Sequence, residues 1–122
     1  MWDFPRNRVV NNFSRNIYEN GGVVSAVCHG PAALLGIKLS DGTLLIKSKK
    51  TTGFTNKEEI AVKLEKIMPF ALETELIKSG AEFVGKDNWE KNVVIDGSLI
   101  TGQNPASARG VGIAIAERLS SK

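Results

Sequence analysis

The spacing of apolar and polar positions assigns most elements of this chain. From Asn7 to Asn20, Val9, Val10, Phe13 and Ile17 recur near the helical period, and Asn20-Gly21-Gly22 ends the run. Val23 to Val27 is a short apolar run, the pattern of a strand buried on both faces of a parallel sheet. Gly30 to Gly36 follows as a short helix, with Pro31 tolerated in its first turn. Asp41-Gly42 signals a turn and Thr43 to Ile46 a strand, while Lys49 to Phe54 reads as irregular chain or a second short strand. Asn56 is expected to cap a helix carrying Ile60, Val62 and Leu64, with Glu59 in the capping-box position. Pro69 opens a further helix that runs through Lys78 and stops at Gly80, and Ala81 to Val84 reads as a strand. Asn92 to Thr101 is a hairpin: Val93-Val94-Ile95, the turn Asp96-Gly97, then Ser98-Leu99-Ile100-Thr101. Asn104 caps a last helix, Pro105 to Leu119, with proline at its first position.

Helix, buried strand and helix in succession predict an α/β fold with a layered, mostly parallel sheet. The chain opens on a helix with no strand before it. Its most buried strand has only the hairpin and a few short runs to pair with, where a doubly wound sheet wants further parallel strands. The expectation is a single unit over residues 1–122 that forms the second half of a larger domain.

Composition narrows the function classes. With 122 residues, 42% of them hydrophobic and 24% charged, the chain can bury a core. The net charge is only +3, and Lys47, Lys49 and Lys50 form the one small basic cluster. That cluster lacks interleaved aromatics, so it reads as a solvated strand end and no nucleic-acid partner is expected. No apolar run approaches the roughly 20 residues of a membrane helix, so no membrane partner is expected. Met1-Trp2-Asp3-Phe4-Pro5 lacks the apolar centre of a signal peptide. One cysteine excludes an internal disulfide and suits either a reducing cytoplasm or a free reactive thiol. Trp2 and Trp89 read as core or interface filling rather than as pocket walls.

The chemistry concentrates where the apolar run breaks into Cys28-His29-Gly30. Cys28 is the only cysteine and His29 the only histidine. A strand that turns sharply into a helix, with a nucleophile at the turn, is the pattern of a nucleophile elbow. Gly30 permits the tight turn, and Ala26, Ala32 and Ala33 leave room around it. A helix starting at Gly30 would also favour the thiolate through its dipole and free N–H groups. The bland alternative for Cys28 is a small buried hydrophobe, and for His29 a helix-start residue. One cysteine and one histidine, adjacent in sequence, cannot build a four-ligand zinc site without several carboxylates, so no metal is expected.

Three blocks resemble the ThiJ/PfpI superfamily, within the flavodoxin-like, glutamine amidotransferase-like folds. They are Ala26-Val27-Cys28-His29-Gly30-Pro31-Ala32; Thr52-Gly53-Phe54-Thr55-Asn56-Lys57-Glu58-Glu59 followed by Pro69-Phe70-Ala71-Leu72-Glu73; and Asp96-Gly97-Ser98-Leu99-Ile100-Thr101-Gly102-Gln103-Asn104-Pro105-Ala106-Ser107. Their order and spacing resemble the branch of heat-shock chaperones and glyoxalase III enzymes. The resemblance implies a three-layer α/β sandwich that here lacks its N-terminal strands. In the family the absent half also carries a glutamate contacting the cysteine and a glycine-rich loop that completes the oxyanion hole.

The resemblance further implies Cys28 as nucleophile, His29 as base and Glu59 as the acid that orients it, with Glu58 competing for that place. His29 and Gly30 would support the elbow and its oxyanion. Glu59 has a purely local alternative, completing the capping box after Asn56. The implied activity is cofactor-free conversion of methylglyoxal to lactate, or a related deglycase or amidase reaction. The alternatives are a stress-response chaperone, a cysteine redox sensor, or a short chain inactive alone. Implied partners are a small 2-oxoaldehyde substrate, unfolded clients in the chaperone reading, and either a homo-oligomer such as a dimer or the missing N-terminal segment.

Overall fold

A computed structural model describes residues 1–121. Helix α1 (Arg8–Glu19) is capped by Asn7, whose side-chain oxygen accepts from the Val9 and Val10 N–H groups. Strand β1 (Val24–Val27) follows and pairs in parallel with β5 (Leu99–Gly102), Val24 opposite Leu99 and Val27 opposite Gly102. The Asp96-Gly97 turn returns β5 antiparallel to β4 (Val93–Asp96), so the expected hairpin forms and the sheet order is β1-β5-β4. A second, two-stranded sheet pairs β2 (Lys50–Thr51) in parallel with β3 (Glu82–Phe83).

Leu99 and Ile100 are both fully buried, yet they belong to different clusters. Successive strand residues point to opposite faces, so this sheet is covered on both. Leu99 joins Leu35, Ile37, Leu45, Ile46, Leu72 and Leu76 on one side. Ile100 meets Val111 and Ala114 of α4 (Ala108–Ser120) on the other. The result is the expected three-layer α/β arrangement. Gly102 lets α4 approach closely, since a Cβ there would stand 2.6 Å from Val111 Cγ2 and 2.9 Å from Val27 Cγ2.

Several expected elements differ in the structure. Gly30 to Gly36 is a 3-10 helix over Gly30–Leu34: the Leu35 backbone turns extended and Gly36 takes a φ of +87°. Thr43 to Ile46 is no strand. It curls back so that the Leu45 N–H donates to Ile37 O, with only Lys38 and Leu44 bridged, and Leu45 and Ile46 are buried without a ladder. Helix α2 (Asn56–Ala61) is capped by Thr55 rather than Asn56. Helix α3 (Leu72–Lys78) starts after Ala71, so Pro69 lies outside it. Asn104 gives its side chain no capping bond: Pro105–Ser107 is a 3-10 turn, and the Asn104 amide reaches across to Glu58 and Glu90. Neither tryptophan fills the core, as Trp2 is 63% and Trp89 45% exposed.

Candidate active site

Strand β1 gives way to Cys28, whose φ is +66°, in the left-handed region that L-residues avoid. Two hydrogen bonds hold it there. The Cys28 N–H donates to Gly102 O at 3.0 Å, and the Phe54 N–H donates to Cys28 O at 2.8 Å. Both backbone polar groups of the strained residue are therefore tied to neighbouring segments, β5 on one side and the 52–55 segment on the other. Strain of this kind persists only where the surroundings over-determine it. The Cys28 side chain is partly exposed.

His29 lies next in the turn. Its Nδ1 is 3.7 Å from Cys28 Sγ, and its Nε2 is 2.8 Å from Glu59 Oε2. An ionised carboxylate only accepts, which assigns the ring proton to Nε2 and leaves Nδ1 as an acceptor toward the thiol. The structure thus brings Cys28, His29 and Glu59 together in one line of contacts. Gly30 opens the 3-10 turn beside them, and a Cβ on it would stand 3.4 Å from Ala26 Cβ.

Glu58 sits elsewhere. It forms the capping box with Thr55, accepting from the Thr55 N–H and Oγ1–H while the Glu58 N–H donates to Thr55 Oγ1. Its second oxygen accepts from the Trp89 N–H and from Asn104 Nδ2. The cap that competed for Glu59 is therefore made by the preceding residue, and Glu59 is free to face His29. Glu59 is buried, and its Oε1 has no hydrogen-bond partner.

Electrostatics at the sulfur run against the dipole expectation. Burial pushes the Cys28 thiol above its ordinary value, and the nearby Glu58 and Glu59 charges push the same way; the His29 backbone N–H works in the opposite direction. A five-residue 3-10 turn supplies too little helix to reverse this. The Glu58 carboxyl behaves differently. Burial alone would raise it, but donors from Trp89, Thr55, Asn104 and Gln103 outweigh burial and hold it below the ordinary carboxylate range.

Two contacts were not foreseen from sequence. The Phe54 ring lies 4.4 Å from the His29 ring between centroids, and Trp89 lies 5.7 Å from Phe54. Phe54 stood inside one of the resemblance blocks, but nothing local marks it as a neighbour of His29. A cavity of about 230 Å3, lined by Asn56, Glu59, Ile60, Glu65, Phe70 and Ala71, reaches the acid. Among the described residues no group of three or more His, Cys, Asp or Glu side chains is placed to hold a metal, and no helix is long and apolar enough to cross a membrane.

Comparison with known proteins finds relatives in sequence and in overall fold. The chain is 35% identical over 119 residues to the glutathione-independent glyoxalase HSP31 of Saccharomyces cerevisiae, covering 93% of this chain and 50% of that protein. The crystal structure of glyoxalase III from Candida albicans superposes with a TM-score of 0.90 at 33% identity, over 96% of this chain and 52% of that one. The Rapid Encystment Protein 24 kDa of Francisella tularensis superposes at 0.94 with 41% identity, over 97% of this chain and 52% of that one. The chain spans about half the length of the curated relatives it matches. Residues 3–118 match the DJ-1/PfpI family, and with that coverage the chain belongs to it.

Proposed function

We propose that Cys28, His29 and Glu59 are the reacting constellation of a cofactor-free, glutathione-independent glyoxalase acting on a small 2-oxoaldehyde such as methylglyoxal. The carrying observation is the His29 ring, held by Glu59 at Nε2 and turned toward the Cys28 sulfur at Nδ1. Because burial keeps the sulfur protonated, His29 serves as base at the moment of attack, with no preformed ion pair. The sulfur adds to the aldehyde carbon, and its proton passes through His29 to the carbonyl oxygen, giving a hemithioacetal. His29 then takes the proton from that carbon and returns one to the neighbouring carbon through an enediol. The aldehyde carbon is oxidised and the ketone carbon reduced within one molecule, so no external oxidant is needed. Water cleaves the resulting thioester, releasing the 2-hydroxy acid and the thiol. Glu59 stabilises the imidazolium formed at each transfer. Lactate formation from methylglyoxal without glutathione tests the reading, and equal rates for the wild-type chain and Cys28→Ser would overturn it.

We infer also that this unit is the C-terminal part of a longer DJ-1/PfpI domain and works with the remaining half, supplied in the same chain or in another. Alternation along β1 turns the backbone groups of Ser25 and Val27 away from β5, and no described strand pairs with that edge. On α1, Val9, Phe13 and Ile17 make an exposed apolar stripe at four-residue spacing. The relatives' own length supplies a segment of suitable size. Holding of unfolded clients on this stripe is the competing outcome. Suppression of client aggregation by this chain, abolished by Phe13→Lys, would favour it.

A further inference from the structure

Trp89 combines two features that seldom coincide. Its side chain is a large, half-exposed indole, and its φ is +66°, where a bulky residue is strained. The strain has an anchor. The Trp89 N–H donates at 3.0 Å to Glu58 Oε2, and Glu58 is fully buried, accepting also from Thr55 and Asn104. With its backbone pinned, the indole lies on the Phe54 ring at 5.7 Å and 53°. The other ring neighbour of Phe54 is the imidazole of His29, at 4.4 Å and 38°. Three rings thus run from the surface to the proposed base.

The one short hydrogen bond of the imidazole, from Nε2 to Glu59, fixes one point, and the 3.7 Å contact of Nδ1 with Cys28 Sγ is too long to stop the ring pivoting about it. A packed ring face removes that pivot. Phe54 is itself buried in the core, and Trp89 is the further ring packed against it. We propose that Trp89 is a positioning residue for His29: Glu58 locks its backbone, and its indole, through Phe54, holds the imidazole so that Nδ1 faces Cys28. The proposal rests on the reading of Cys28 and His29 as the reacting pair. No hydrogen bond or ring pair joins Trp89 directly to Cys28 or His29.

Single occurrences make the test clean. His29 is the only histidine, so its ring C–H signals in NMR spectra are unique, and Cys28 is the only cysteine, so iodoacetamide labelling followed by intact mass reports one site. Trp89→Gly suits the positive φ while removing the indole. It is expected to keep the urea midpoint at or above wild type, yet shift and broaden the His29 ring signal and slow Cys28 alkylation at pH 7 about tenfold, the scale on which loss of an orienting neighbour acts. Trp89→Phe should restore most of both signals, and Trp2→Phe, at the other tryptophan, should change neither. Trp89→Leu, which keeps bulk without a ring, gives the same readouts if the glycine variant does not fold. Wild-type ring signals and alkylation rates in Trp89→Gly or Trp89→Leu would overturn the proposal. His29→Ala separates the two levels. If it leaves alkylation unchanged while Trp89→Gly still moves the His29 signal, the pairing of Cys28 with His29 fails and the positioning of the ring stands.

Discussion

Glu58 and Glu59 are adjacent on the first turn of α2, yet their carboxylates serve different parts of the molecule. Glu59 reaches His29 Nε2 at 2.8 Å, while Glu58 turns inward to the Thr55, Trp89 and Asn104 donors. Successive helix residues point about 100° apart, so one turn presents both carboxylates without competition between them. The two glutamates should therefore fail in different ways when altered. Glu59→Gln keeps the shape and removes the charge that stabilises an imidazolium. Lactate formation should fall by about 10²–10⁴-fold, with an unchanged urea midpoint. Glu58→Ala should leave buried donors unpaired and cost on the order of 2–4 kcal/mol in unfolding free energy.

Acid should expose the same division. The Glu58 carboxyl sits below its ordinary value in the folded chain, so it binds protons more readily when unfolded. Its contribution is fully present above the ordinary carboxylate value and is lost as pH falls through the depressed folded one. Urea midpoints measured from pH 7 to pH 3 should drop steeply at the acid end for the wild type. Glu58→Gln should start lower at pH 7 and show a shallower decline.

At Cys28 the sign reverses. The folded chain holds the thiol above its ordinary value, so protonated sulfur is the favoured form and its stabilising contribution is lost only in alkali. The pH profile of Cys28 alkylation by iodoacetamide should have its midpoint above the ordinary thiol value. A midpoint below it would contradict the burial that dominates this site.

The elbow backbone makes a separate prediction. Cys28 holds a φ of +66°, which glycine adopts without penalty. Cys28→Gly should therefore be more stable than Cys28→Ala by about 1 kcal/mol, although both lack the sulfur. Chemical denaturation of the two variants measures the difference directly.

The apolar stripe of α1 should act in solution. At rising concentration the chain alone should self-associate in light scattering, since its β1 edge and the Val9, Phe13 and Ile17 side chains are open. Phe13→Lys should weaken this association while leaving the unfolding free energy within about 0.5 kcal/mol of wild type, because Phe13 is exposed.

Much of this was legible in the chain because the relevant signals are local. The β1 run, the Asp96-Gly97 hairpin and the Cys28-His29-Gly30 break each declare themselves over a few residues. Where neighbouring residues share a propensity, the choice between them is tertiary. Thr55 and Asn56 are both good caps, and Thr55 prevails because its capping partner Glu58 is buried against Trp89 and Asn104. Leu45 and Ile46 have the composition of a strand, but their segment doubles back on Ile37 and buries them in a turn. The contacts of Phe54 with His29 and Cys28 join residues far apart in sequence, and no local pattern encodes them.

The two hydrogen bonds that brace Cys28 also separate the mobility of its backbone from that of its side chain. The amide is bonded to Gly102 in the central strand of the main sheet. Its hydrogen should therefore exchange with solvent only when β1 and β5 separate, at rates close to those of the core. The sulfur is partly exposed, but it rides on a backbone that should be among the slowest of the chain to exchange. Reagents meet it at a fixed position, and only large openings of β5 should displace it.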